Sequence, residues 1–221
     1  MRHVFVETNW VVDYAAPAHH RRPDAAALLD RAMAGEIRLC LPAVCLAEAR
    51  ETIPRKFSPS REATPMRVFL AWARTEGKIQ PAQSEEVARI LDMFEKSVKE
   101  ELRQLGTKLE ALRNKPGAIE IIGLDDQMLE RAATLGNSEV CYLKPFDQAI
   151  LAAVLVHGAR LRARGERDVC FCELDSDLQP WDKKLEGKPY LQRLYDGAGV
   201  WVYGDYELTW PEPYPGWAPG P

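Results

Sequence analysis

Short apolar runs alternating with helical stretches constrain the fold of this chain most tightly. Residues 3–6 (His-Val-Phe-Val), 37–41 (Ile-Arg-Leu-Cys-Leu), 168–172 (Asp-Val-Cys-Phe-Cys) and 200–203 (Val-Trp-Val-Tyr) read as buried strands. Polar Glu7-Thr8-Asn9 ends the first, and Pro42 stops the second. Helices fill the intervals. One begins near Trp10, and one runs from about Asp24 to Ala34 and is closed by Gly35. Another covers Ala43 to Ile53 with Val44, Leu46 and Ala47 as its inward face, and a further short helix spans Asp125 to Leu135. The strongest helix opens at Pro145-Phe146-Asp147 and continues to about Arg164, because a proline near the first helical position and an acid in the first turn both favour initiation. Strands that alternate with helices predict an α/β fold: three α/β/α layers around a parallel sheet of four to five strands.

The length of 221 residues suits one domain with a sizeable core. We read residues 1–205 as that domain, with a helical insertion at about 60–140 between the second and third core strands. The Pro- and aromatic-rich tail at 206–221 reads as an irregular strap or a disordered end. Residues 54–61 are breaker-rich and read as a loop. Beyond them, Ile90, Leu91, Phe94, Val98, Leu102, Leu105 and Leu109 recur at spacings of three and four, which predicts a long amphipathic helix, half of a helical hairpin. Its stripe would either fold back on the core or form a homodimer surface.

Lys and Arg total 29 against 33 Asp and Glu, a net charge of -4, so any nucleic-acid contact must come from a local basic rim. The five cysteines form no CxxC pair and read as reduced, mostly buried thiols. The first apolar run is interrupted at once by Glu7, Asn9 and Asp13, and the run from Ala149 to Val156 is too short to span a bilayer. A soluble, cytoplasmic protein with no membrane partner is expected. No P-loop, dinucleotide glycine fingerprint or serine elbow occurs.

In open parallel sheets, ligands bind beyond the carboxyl ends of the strands. Acids lie there in four chain segments. Glu7 follows the first strand, Glu48 sits on the helix after the second, Asp147 is in the first turn of the helix preceding the 168–172 strand, and Asp175 and Asp177 follow that strand. Two unit charges 4 Å apart at an effective dielectric near 20 repel by about 4 kcal/mol. Such a group persists only when protonated or neutralised by a cation, and an all-oxygen set suits Mg²⁺ or Mn²⁺. Asp147 alone could merely complement a helix dipole, and Glu48 alone could be a solvated helix residue. Their joint occurrence at strand ends points to phosphodiester hydrolysis.

At these positions the chain resembles the PIN-like nucleases, specifically their longer members. Val4-Phe5-Val6-Glu7-Thr8-Asn9 resembles the opening strand and Asp-Thr-Asn signature; Leu41-Pro42-Ala43-Val44-Cys45-Leu46-Ala47-Glu48 resembles the second acid segment. Pro145-Phe146-Asp147-Gln148-Ala149-Ile150 resembles the third, and Phe171-Cys172-Glu173-Leu174-Asp175-Ser176-Asp177-Leu178 the last. The match covers roughly residues 2–57 and 140–204. The resemblance implies a metal-dependent endoribonuclease with Glu7, Glu48, Asp147 and Asp175 as the metal-binding acids, and Asp177 sharing or replacing the role of Asp175. Thr8 would set its hydroxyl near the metal or phosphate, and Asn9 would brace the loop through backbone hydrogen bonds. It also implies an RNA substrate and either a toxin with an antitoxin protein partner or an RNA-processing enzyme.

Two departures mark this chain. Glu7 stands where the family usually has Asp, and Glu173 where Ser or Thr is common. They keep open a catalytically weak PIN-like module that binds RNA or protein; a structure-specific DNA nuclease is a third reading with no duplex-binding signature behind it. Arg50, Arg55, Lys56 and Arg61 after Glu48, and Lys144 before Asp147, are the candidate RNA contacts. Trp10 and Trp181 are candidates for base stacking, with Trp10 also suited to packing beneath the first helix. His19 and His20 have no carboxylate or thiol partner at metal-ligand spacing and read as surface residues.

Overall fold

A computed structural model describes residues 1–137, 142–182 and 184–209. Cys141 and the tail beyond residue 209 lie outside the described residues. Five strands, β1 (Arg2–Val6), β2 (Ile37–Pro42), β3 (Ile119–Ile122), β4 (Val169–Cys172) and β5 (Trp201–Tyr203), form one sheet in the order β3-β2-β1-β4-β5. Every pairing is parallel. Helices α1 (Thr8–Ala15) and α2 (Pro23–Met33) link β1 to β2. Helices α3 (Ala43–Lys56), α4 (Pro59–Thr75), α5 (Pro81–Arg103) and α6 (Leu105–Arg113) link β2 to β3. Helices α7 (Asp126–Gly136) and α8 (Pro145–Ala163) lead to β4, and α9 (Pro189–Ala198) to β5. The molecule is a three-layer α/β/α fold.

The strand order carries the layering. From β1 to β3 the chain steps one way; it then crosses back past β2 and β1 to β4 and β5. Right-handed crossovers place helices of the two directions on opposite faces and leave a switch point between β1 and β4. In the packing, α1 touches α2, α3 and α6, while α8 touches α7, α9 and β4 and also meets α3. Residues Ile150 to Gly158 of α8 are buried without interruption, as a helix enclosed on all sides requires. The centre of the sheet is apolar, with Val4, Phe5, Val6, Leu39, Leu41, Cys170, Phe171 and Val202 fully or almost fully buried. Among the described residues no helix is long and apolar enough to cross a membrane.

Three local expectations are corrected. The stretch at 60–140 is not helical throughout: it contributes β3, whose Ile119 to Ile122 pair in register with Leu39 to Pro42. Four residues are too few for periodicity to separate strand from helix. The expected loop at 54–61 is mostly helix, since Pro54 is carried inside α3 and Pro59 starts α4 at its first turn. The fully buried face of α3 is Cys45, Ala49 and Ile53, spaced by four; Val44 and Leu46 pack half-buried against the core, and Ala47 is exposed. The long stripe also divides. Val98, Leu105, Leu109 and Leu112 are buried, whereas Ile90 and Met93 of α5 and Met66, Phe69 and Trp72 of α4 stay exposed on the hairpin.

One glycine records how closely α8 approaches its neighbours. A Cβ on Gly158 would stand 2.5 Å from Cγ2 of Val200, a fully buried side chain at the foot of β5. The backbone there is helical, so Ala would gain about 1 kcal/mol in propensity, but overpacking typically costs about 1–3 kcal/mol. Gly158→Ala is therefore expected to lower the urea midpoint, for a net loss of roughly 1 kcal/mol. A midpoint at or above wild type would show that Val200 yields freely.

Candidate active site

Register brings two acids together at the switch point. Val6 of β1 pairs with Cys172 of β4, so the next residues, Glu7 and Glu173, leave adjacent strand ends side by side. Both are buried, Glu173 with no exposed surface at all. Glu7 is the N-cap of α1: its extended backbone turns the chain, and Oε2 accepts the Asn9 N–H at 2.7 Å. Glu173 holds the turn after β4, where Oε1 accepts the Asp175 N–H at 2.6 Å. Asp175 repeats the device one step later, its Oδ1 accepting the Asp177 N–H at 2.9 Å.

The other acids approach from the helices. Glu48, half-buried on α3, accepts a hydrogen bond from the Thr8 hydroxyl at 2.5 Å. Asp147 occupies the third position of α8 and is half-buried. Asp147 Oδ2 is buried with no hydrogen-bond partner, and Glu7 Oε1 and Glu173 Oε2 share that condition.

Proton affinities tie these groups into one electrostatic unit. Burial, with repulsion from Asp175 and Glu48, pushes the Glu7 carboxyl up to about 8 against the opposing Asn9 hydrogen bond. Burial also drives Glu173 well above the carboxylate range, and Glu7, Asp175 and Asp147 add to the shift. Asp147 is raised by burial and by Asp175, Glu48 and Asp177, while Lys144 opposes the shift. Glu7, Glu173 and Asp147 therefore each feel at least two other acids of the group, in an environment of low dielectric. Their oxygens are not as tightly gathered as two His-containing groups elsewhere, whose three ligand atoms lie within 4.8 Å of one another.

The donor set suits a hard dication. All the unbonded atoms are carboxylate oxygens, and three are buried without a proton donor. Glu7, Glu173 and Asp147 are the residues whose free oxygens would hold Mg²⁺ or Mn²⁺, with Asp175 and Glu48 beside them. Asp177 is set apart at the rim, exposed and 3.7 Å from Lys144 Nζ.

Expectation and structure differ most around the substrate. Trp10 and Trp181 are buried, and Trp10 Nε1 bonds the Ala25 carbonyl, so neither offers a stacking face. Arg50, Arg55, Lys56 and Arg61 are exposed along α3 and α4. Arg55, seven residues beyond Glu48, returns to the Glu48 face of the helix, whereas Arg50 and Lys56 do not. A cavity of about 590 Å³ opens beside Asp177 and is lined by Tyr142, Lys188, Pro189, Tyr190 and Arg193. Tyr142 is 96% exposed. Another cavity, of about 660 Å³ among α7, α8 and α9, contains none of the acids.

Two features escaped the sequence reading. Glu173 carried the same signal as Glu7, an acid closing a buried strand, but Asp175 and Asp177 beside it drew the assignment. The Tyr142–Lys188–Tyr190–Arg193 wall had no signal, because its parts lie on separate segments without periodicity. His19 and His20 are exposed, as expected, but they do have a carboxylate partner: Glu62 of α4 lies 3.7 Å from His19 Nε2 and 2.9 Å from His20 Nε2. No protein-family model, no curated protein and no solved structure matches this chain, so its reading rests on the geometry of the site.

Proposed function

We propose that this protein is a PIN-like nuclease that hydrolyses RNA with Mg²⁺ or Mn²⁺ held by its carboxylates. The observation that carries the reading is the set of three buried, partnerless carboxylate oxygens: on Glu7 and Glu173, side by side at the switch point of a parallel sheet, and on Asp147 of α8, whose charge acts on Glu173. Burying polar atoms without partners costs about 1–3 kcal/mol each, so their retention supports a bound cation as the missing partner. A dication held there would neutralise phosphate charge and acidify the attacking water. The protein's own residues do the rest. The Asn9 and Asp175 N–H groups fix one oxygen of Glu7 and of Glu173 and leave the other free. The Thr8 hydroxyl holds one oxygen of Glu48.

Tyr142 and Tyr190 suit stacking against unpaired bases, and Lys188 and Arg193 suit the phosphates between them. Stacking platforms favour single strands, which is why RNA loops are preferred to duplex DNA. As a cellular role we propose RNA cleavage by a toxin or a processing enzyme. The exposed Met66, Phe69, Trp72, Ile90 and Met93 support a protein partner on the α4–α5 hairpin, either an antitoxin or a second copy.

The test is incubation of the purified protein with single-stranded RNA in Mn²⁺, in Mg²⁺ and in EDTA. Cleavage with either metal and none in EDTA is expected. Tight RNA binding with no cleavage under any metal would replace the enzyme by the binding module, and cleavage that persists in EDTA would remove the metal from the scheme.

A further inference from the structure

Away from the acids, on the face of the sheet that α8 covers, lies a second polar cluster, with Arg38 and Glu120 half-buried. His3 and Phe5 of β1 share this face with Arg38 and Cys40 of β2 and with Glu120 of β3, as their register dictates. His157 of α8 descends onto it, its ring edge-on to Phe5 at 5.8 Å between centroids. Cys40 and His157 are both buried. One ligand atom each from Cys40, Glu120 and His157 lies within 4.8 Å of the other two.

We propose that Cys40, Glu120 and His157 form a binding site for a zinc-class divalent ion that ties α8 to β2 and β3. Three observations carry it. His157 is 8% exposed, and its Nε2 is buried without a hydrogen-bond partner. Its nearest anionic atom, Glu120 Oε1, stands at 3.4 Å. That is long for a hydrogen bond, but a tetrahedral ion with bonds of about 2.0–2.3 Å separates neighbouring ligand atoms by roughly 3.3–3.6 Å. The surroundings also resemble an outer shell. Glu120 Oε2 is engaged by Arg38 at 3.2 Å, which leaves Oε1 for the ion. His3 closes the β1 side, with Nδ1 4.0 Å from Cys40 Sγ and Nε2 3.6 Å from Glu166 Oε2.

Thiolate and imidazole donors select a softer ion than the oxygen-only cluster does, so the two sites would discriminate by chemistry. The role proposed here is structural: binding to the folded state alone stabilises it, and Cys40 gives up its thiol proton to solvent on binding.

The test uses Co²⁺ as a visible substitute for zinc, added to the chelator-treated full-length protein. One equivalent is expected to give a thiolate-to-cobalt charge-transfer band that Zn²⁺ abolishes by displacement. The band should vanish in Cys40→Ser and survive in Asp147→Asn, since oxygen-only ligation gives none. Should Cys40→Ser not fold, Glu120→Gln at the partly exposed edge of the site carries the test, with an expected loss of at least tenfold in Co²⁺ affinity. No band in the wild type, a band unchanged in Cys40→Ser, or an affinity unchanged in Glu120→Gln would leave only a thiol–imidazole contact beside an ion-pair network and would overturn the proposal.

Discussion

Asp147→Asn is expected to reduce Mn²⁺-dependent RNA cleavage by on the order of 10³-fold while the protein keeps its fold. The size follows from what the carboxylate supplies. A metal that neutralises a phosphate contributes several kcal/mol to the transition state, and about 1.4 kcal/mol is a factor of ten in rate. The substitution retains shape but removes one charge from the cluster, so affinity for the ion and its placement both suffer.

Stability should move the other way. Asp147 Oδ2 has no hydrogen-bond partner to lose, and the group is repelled by Asp175, Glu48 and Asp177. An amide removes that repulsion, at the expense of an interaction with the α8 dipole of about 0.3–1 kcal/mol. The thermal midpoint in EDTA should therefore equal or exceed that of the wild type. This pairing distinguishes a catalytic acid from a helix cap: a cap variant would melt earlier and cut normally. Cleavage within tenfold of wild type would remove Asp147 from the site.

The contrast between Glu7 and Glu173 shows how far the residues alone could be read. Both acids end strands whose apolar runs are plain, and the parallel sheet follows from those runs and from the helices between them. What single residues cannot disclose is register. Only the pairing of Val6 with Cys172 places Glu7 beside Glu173, and only that pairing makes Glu173 a member of the cluster. The same holds for the softer site, where Cys40 meets Glu120 across a strand pair and His157 arrives from a helix more than a hundred residues beyond Cys40. His19, His20 and Glu62 meet because α4 packs back toward the α1–α2 connection. Local pattern specifies elements, and function here depends on contacts between elements distant in the chain. β3 was obscured for a related reason: Ile119 to Ile122 are apolar enough for either helix or strand, and the sheet edge beside β2 decides.

Glu7→Gln is expected to flatten much of the pH dependence of stability in the metal-free protein. The folded Glu7 carboxyl lies near 8, raised chiefly by burial, whereas its ordinary value is 4.5. A raised folded pKa means that the native state holds a proton that the unfolded chain releases. Its contribution is complete below about pH 4.5, declines as the pH rises through the interval, and is gone above about 8. At about 1.4 kcal/mol per pH unit, the loss across that window is on the order of 5 kcal/mol for this group alone. Gln keeps an oxygen for the Asn9 N–H and has no proton to lose, so the variant should be more stable than wild type at pH 8 and nearly matched at pH 4.5. Some slope must remain in the variant, because Glu173 is raised by the same burial. Urea midpoints in EDTA from pH 4.5 to 9 give the measurement, and parallel curves for the two proteins would mean that Glu7 is not the group responsible. Metal reverses the sign for the wild type. An ion competes with the Glu7 proton, so apparent Mn²⁺ affinity and cleavage should both rise toward pH 8, and Glu7→Gln should forfeit that rise together with the activity it supports.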